Sequence, residues 1–385
     1  MQKNGQDRNT LMNHSVSLKK SLPLWLKWCF CAIPAAIGAL MYFLLPRFPQ
    51  FTEHAVTRGL FRIVGFPLAW LISVIPFSVA EVLLVLSVPA VLTALILWIR
   101  RMVKANGKLR FLERSGRFLA WCLSLVFLMY MVMHGGNFSR LSTGELLELP
   151  SRTYTKEDLY TLTSDLAAKA SQARERLSED ENGCITLSVS RSELLLMADD
   201  GYHALEGKYP FLKAATWRVK PVMLSHWWSY TGIVGIYIPW LGEANLNVDV
   251  PDNNLAFSAA HEVAHTMGFA KEDECNFLAW LSCSASDQPD YAYSGYLSAF
   301  VYCSNALYKA DKELWKQAYA NCSAGVLRDL TQNNTYWDQF EGKVQEVSNN
   351  LNDSFIKVNG VESGVLSYDE MVALLLRYYD KQGAL

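Results

Sequence analysis

Three long apolar runs in the first third of this chain constrain what the rest of it can do. Leu24 to Leu45 is interrupted only by Lys27 near its start, and Val79 to Ile99 and Phe118 to Met133 follow. At about 1.5 Å of rise per helical residue, the first two are long enough to cross a hydrocarbon core of about 30 Å, and the third is close to the lower limit. The stretch GFPLAWLISVIPF, Gly65 to Phe77, is also apolar, but prolines bracket it. It reads as an interfacial or re-entrant helix leading into the second span. A cleavable signal peptide would explain the first run alone. Three runs in succession, with no small-residue cleavage site after the first, favour a permanent anchor in the lipid bilayer.

The loops give an orientation. Arg100, Arg101, Lys104, Lys108, Arg110, Arg114 and Arg117 crowd the connection between spans two and three, and Lys3, Arg8, Lys19 and Lys20 lie in the N-terminal tail. The connection between spans one and two holds only Arg47, Arg58 and Arg62. Basic loops stay on the cytoplasmic side, so three crossings place everything after His134 on the outer face. The expectation is a multi-pass protein of the cell membrane, with residues 1–134 as anchor and 135–385 as an extracytoplasmic domain.

The remaining composition removes some alternatives. A net charge of -2 over 385 residues leaves no basic surface for nucleic acid. Cys29, Cys31 and Cys122 fall in the apolar segments, and Cys184, Cys275, Cys283, Cys303 and Cys322 are scattered without a CxxC pair. They read as small buried hydrophobes rather than a disulfide framework.

Beyond the anchor the pattern is that of a globular α+β domain, mostly helical with a small sheet. Thr155 and Asp158 begin a helix whose stripe is Leu159, Leu162, Leu166 and Leu177. Trp217 to Leu224 reads as extended. In GEANLNVDV the residues Ala244, Leu246, Val248 and Val250 alternate with polar ones, a half-buried strand paired with Ile236 to Trp240. Asp252 or Asn253 caps the next helix, which stops near Gly268, and another begins around Glu272. Ser367 with Glu370 suggests a capping box for the last helix.

The helix between carries AAHEVAH. Residues four apart share a helix face, so His261 and His265 offer two imidazole nitrogens to one tetrahedral Zn2+ at about 2.0 Å. Glu262, adjacent in sequence, points beside such an ion and is placed to act as general base. Zinc lowers the pKa of a water from about 15.7 toward about 7, so a carboxylate finishes the deprotonation at neutral pH.

A hydrolytic zinc site needs a third protein ligand. HEVAHTMGFAK matches a metzincin signature up to Gly268, but Lys271 stands where that signature has histidine. A carboxylate from the next helix is the alternative. Glu274 shares a face with Leu278 and Leu281, and a carboxylate turned inward needs a partner, which a cation supplies. Glu272 and Asp273 read as the exposed first turn. The strand before the helix offers an edge to an extended peptide, with Asn245 and Asn247 on its polar side as candidate substrate contacts. Tyr368 is a candidate oxyanion partner.

These residues also carry a resemblance. KPVMLSHWWSYTGIVGIYIPWLGEANLNVDV, then AAHEVAHTMGFAKEDECNFLAWLSC, with GVLSY at Gly364 to Tyr368, resembles a family of bacterial membrane-anchored, zinc-metallopeptidase-like proteins, domain of unknown function 3810. EDECNFLA is also similar to the E-A-N-x-F-A segment of ImmA/IrrE-like peptidases, whose carboxylate before the Ala-Asn pair is the third ligand. Carried over, that ligand is Glu274, with Cys275 in place of the alanine. The resemblance implies a zincin-like fold and a gluzincin-type site. The expected function is hydrolysis of peptide bonds in an exported, cell-envelope or membrane protein. A zinc amidase or deacylase of the envelope uses the same chemistry, and a metal-binding sensor or scaffold would need the ligands without Glu262.

Overall fold

The computed structural model describes residues 22–359 and 368–385, and of Tyr368 and Asp369 the backbone alone. Four helices are long and apolar enough to cross a membrane: α1 (Leu24–Leu44), α2 (Pro49–Ser73), α3 (Val79–Lys104) and α4 (Lys108–Met133). Two of these differ from expectation. The 65–77 stretch is not a separate short element: its residues up to Ser73 continue a helix that starts at Pro49 and passes through a π-helical segment, Thr52–Phe61. The third run is not short either, because Lys108–Arg117 extend the same helix.

The packing of these helices fixes their directions. Gly116 lies against the Trp28 ring, Gly38 against Phe127, and Gly136 against Met41. The contacts advance together along both chains, so α1 and α4 are parallel, and the missing Cβ at Gly38 lets them approach closely. Helix α3 is antiparallel to α4, with Trp98 Nε1 donating to Ser115 Oγ at 3.0 Å. The start of α3 is held by the domain: Glu81 accepts from the Met223 and Leu224 amides at 2.8 and 2.7 Å, and Val79 N–H donates to Glu243.

Helix α2 lies along the domain. Its buried Glu53 receives the Arg140 guanidinium through two hydrogen bonds of 2.9 and 3.0 Å, and Arg140 also stacks over Phe269 at 3.8 Å. Thr57 donates to Asn137, and Arg62 donates to the Phe211 carbonyl. A bidentate, charge-assisted pair that is fully buried is costly to break, so this contact ties anchor and domain into one unit.

The domain is built on helices α5 (Lys156–Arg174), α6 (Asp252–Thr266), α7 (Glu272–Ala285), α8 (Pro289–Ala310), α9 (Lys343–Val358) and α10 (Tyr368–Lys381), with a further long helix at Ala324–Asp338 and shorter helices between them. Thr155 caps α5 in a reciprocal box with Asp158, as its sequence indicates, and Leu159, Leu162 and Leu166 are buried. Helix α6 starts after Pro251 and not with a side-chain cap. Ser367, the expected cap of α10, lies outside the described residues.

Strands β1 (Ser178–Glu179) and β2 (Ile185–Thr186) form a hairpin, and β3 (Lys220–Pro221), β4 (Gly235–Ile238) and β5 (Glu243–Leu246) form a sheet in the order β3-β5-β4. That sheet is mixed and not purely antiparallel: β3 pairs parallel to β5, β4 antiparallel. The chain leaves β3 through a short helix (Ser225–Ser229) and forms β4 before β5, so β5 returns in the direction of β3. The alternating strand ends at Leu246, because Asn247 to Val250 turn away into α6. All eight cysteines are free.

Candidate metal centre

Helix α6 is buried on nearly every side, with Leu255, Ala256, Ala259, Ala260, Val263 and Ala264 almost fully enclosed. Small residues let α7, α8 and the sheet approach it closely. The helix stops at Gly268, whose φ of +85° suits glycine, and a Cβ there would press on Thr57 and Phe61 of α2. The chain then doubles back through buried Phe269 and Ala270 into α7.

This turn brings His261, His265 and Glu272 together. His261 Nε2 is 3.2 Å from His265 Nε2 and 3.1 Å from Glu272 Oε2, and His265 Nε2 is 3.7 Å from Glu272 Oε1. Each imidazole is held from behind. The Phe269 carbonyl accepts from His265 Nδ1 at 2.8 Å, and Asn276 Oδ1 accepts from His261 Nδ1 at 2.8 Å. Both Nε2 atoms are thereby turned toward the carboxylate, the arrangement that orients histidine ligands in metal sites. Burial pushes the Glu272 carboxyl up, but His265 and His261 outweigh it and hold its pKa at about 2.

The third acid is therefore Glu272 and not Glu274. Glu274 is buried, as its place beside Leu278 and Leu281 implies, but its partners are elsewhere. It accepts from Thr143 Oγ1 at 3.2 Å and lies 3.7 Å from Lys271 Nζ. A hydroxyl and an ammonium satisfy it on the side of α7 away from the imidazoles. Glu272, expected on an exposed first turn, faces back across the Gly268 turn on the same side of α7 as Asn276.

Asn245 and Asn247 are fully buried, and neither lines the cavity beside the histidines. Asn245 Nδ2 donates to the Ile236 and Glu243 carbonyls, and Asn247 Nδ2 donates to Ser229 Oγ and the Ile233 carbonyl. Asn245 thus links β5 to β4, and Asn247 ties the end of β5 to the short helix and to the loop that leads into β4. β5 is the central strand, so the edges of the sheet are β3 and β4, and β4 is the one that lines the cavity beside the histidines. Tyr368 opens α10, and its side chain lies outside the described residues.

Glu262 is buried, and its Oε2 has no hydrogen-bond partner among the described residues. Burial raises its pKa to about 8, against the pull of His261. Gly235 of β4 lies directly over it: a Cβ there would stand 2.3 Å from Glu262 Oε1. Together β4, the paired histidines, Glu262 and Glu272 line a cavity of about 690 Å³ that also takes in Tyr130 and His134 from the end of α4 and Phe355 from α9. Tyr237 stacks on His265 with ring centroids 6.1 Å apart, and His134 sits 6.2 Å from His265 by the same measure. Burial pushes the His134 pKa down to about 3, so this ring is neutral.

The donor set fits a divalent ion. Two ligands about 2.0 Å from a tetrahedral zinc stand roughly 3.3 Å apart, close to the 3.2 Å between the two Nε2 atoms and the 3.1 Å from His261 Nε2 to Glu272 Oε2, while the other oxygen, Oε1, lies 3.7 Å from His265 Nε2. A family model described as "Protein of unknown function (DUF3810)" matches residues 57–376. No curated protein and no solved structure matches the chain.

Proposed function

We propose a function for a chain that belongs to the DUF3810 family: it is a membrane-anchored zinc peptidase with Glu262 as general base and His261, His265 and Glu272 as metal ligands. The observation that carries this reading is the convergence of two imidazoles and one carboxylate beside a buried carboxylate, Glu262, that has a free oxygen. Zinc held there supplies a Lewis acid that polarises a carbonyl and acidifies water. Glu262 accepts the proton of the attacking water at Oε2 and delivers it to the leaving amide nitrogen. An extended peptide adding to the outer side of β4 passes near Glu262, whose carboxylate occupies the space that a side chain at position 235 would fill. That free edge favours a peptide over a cell-wall amide, which the same ligands would otherwise serve.

In this reading α1, α3 and α4 cross the bilayer and α2 stays against the domain. The basic junction of α3 and α4 faces the cytoplasm, and the domain lies outside. The test is the full-length protein in detergent or nanodiscs. Wild type should carry one zinc and cleave members of a peptide library. Glu262→Gln should keep the metal and lose about 10²–10⁴-fold in cleavage. Wild type without zinc, or an undiminished variant, would refute the proposal.

A further inference from the structure

Helix α9 divides its residues among three sides. Ile356 is buried, and Ser348, Asn349 and Asn352 line the cavity together with Leu351 and Phe355, which stand where this side meets the apolar one. Glu346, Asn350, Asp353 and Lys357 form a polar side. Val344, Val347, Leu351, Phe355 and Val358 share a third strip, within roughly 80° of arc at about 100° per residue. All five are exposed, Leu351 by 68 %. An exposed apolar strip on an otherwise polar helix is the pattern of a helix that lies in a membrane surface.

The place of α9 in the fold identifies what covers the strip. Tyr42 near the end of α1 donates to the Val358 carbonyl at 2.9 Å, and Tyr130 near the end of α4 donates to Asn359. The helix is thus pinned where those parallel helices enter the domain. Exposed Trp240 lies 6.5 Å from the Tyr130 ring. Beside the start of α3, Met223 and Trp227 are 76 % and 68 % exposed, next to the amides that bind Glu81. Aromatic and aliphatic side chains thus ring the level at which the apolar helices end, as they do at membrane interfaces.

We propose that α9 lies in the bilayer surface with its apolar strip in lipid, forming the lip of the cavity. The site then opens at the boundary between water and lipid, and its substrates are peptide segments that lie in or just above that boundary. The inference rests on the reading of α1, α3 and α4 as spans and of the cavity as hydrolytic.

The test uses the full-length chain in vesicles of phosphatidylethanolamine and phosphatidylglycerol. A benzophenone-bearing amino acid replaces Val347, Leu351, Asn350 or Asp353, one at a time. Val347, Asn350 and Leu351 are exposed and Asp353 is half-buried beside Lys357, so zinc content per chain and the thermal unfolding midpoint are measured in parallel to show that each variant is folded. Irradiation should give lipid adducts at 347 and 351 several-fold above those at 350 and 353. Equal yields at all four positions would overturn the proposal. So would cross-linked dimers from 347 or 351, which would identify a second copy as the cover. Lipid adducts at 347 and 351 in a protein without zinc would leave the membrane seat standing and remove the peptidase reading.

Discussion

Replacing Glu272 by alanine should cost zinc affinity far more than replacing Glu274, although both are acids at the start of one helix. Glu272 Oε2 and Oε1 stand 3.1 and 3.7 Å from the two Nε2 atoms, so its removal leaves two neutral imidazoles and no anion among the ligands. Groups that only support a ligand are worth about 10–100-fold in metal affinity, so a ligand lies at or above the top of that range. Glu272→Ala is expected to weaken binding by about 100-fold or more, roughly 2.8 kcal/mol. Glu274 touches Thr143 and Lys271 instead. Glu274→Ala should leave affinity within about tenfold. It should instead lower stability by about 1–3 kcal/mol, because it strands a buried hydroxyl and an ammonium. Competition against a chromophoric chelator reads the first effect, and thermal unfolding in the same detergent reads the second. If Glu274→Ala lost the metal and Glu272→Ala kept it, the assignment of the third ligand would be wrong.

Three further outcomes follow from the geometry. Asn276→Ala frees the His261 ring to turn and should weaken zinc about 10–100-fold in the same titration, with the fold intact. Gly235→Ala places a methyl 2.3 Å from Glu262 Oε1 and should displace the base: peptide cleavage falls by about 100-fold or more while zinc content is unchanged. Arg140→Met leaves the buried Glu53 carboxylate with Arg58 alone, at 2.7 Å, and should destabilise the protein by about 1–3 kcal/mol in detergent unfolding, so an unchanged midpoint would show that the Arg140 pair does not join anchor to domain.

Much of this arrangement is legible in the sequence, for physical reasons that also set the limit. The apolar runs announce α1, α3 and α4, and HExxH spacing places His261 and His265 on one face whatever surrounds them. The strand before α6 and the turn at Gly268 are equally local features. The acid that joins the two histidines is not local. The inward face of α7 correctly marks Glu274 as buried, but burial says only that a partner exists, and Thr143, more than a hundred residues upstream, is that partner. A usable signal was present: Glu272 and Asn276 are four apart, so the residue that braces His261 shares its side of the helix with the ligand. The two asparagines of β5 misled because alternation shows which residues oppose the apolar face. It does not show that a second strand and a short helix cover them. His134 was invisible as a site residue because its approach to His265 depends on how α4 ends against the domain.

The clamp that Arg140, Thr57 and Glu81 form between helices and domain carries a consequence for reach. A catalytic head on a loose tether sweeps a volume and samples targets at many heights. Here the groove has one fixed standoff from the point where the apolar helices end. On the proposed peptidase reading, cleavage positions in a membrane-bound target should then be counted in residues from its own apolar segment, with the site working as a depth gauge more than as a reader of side chains.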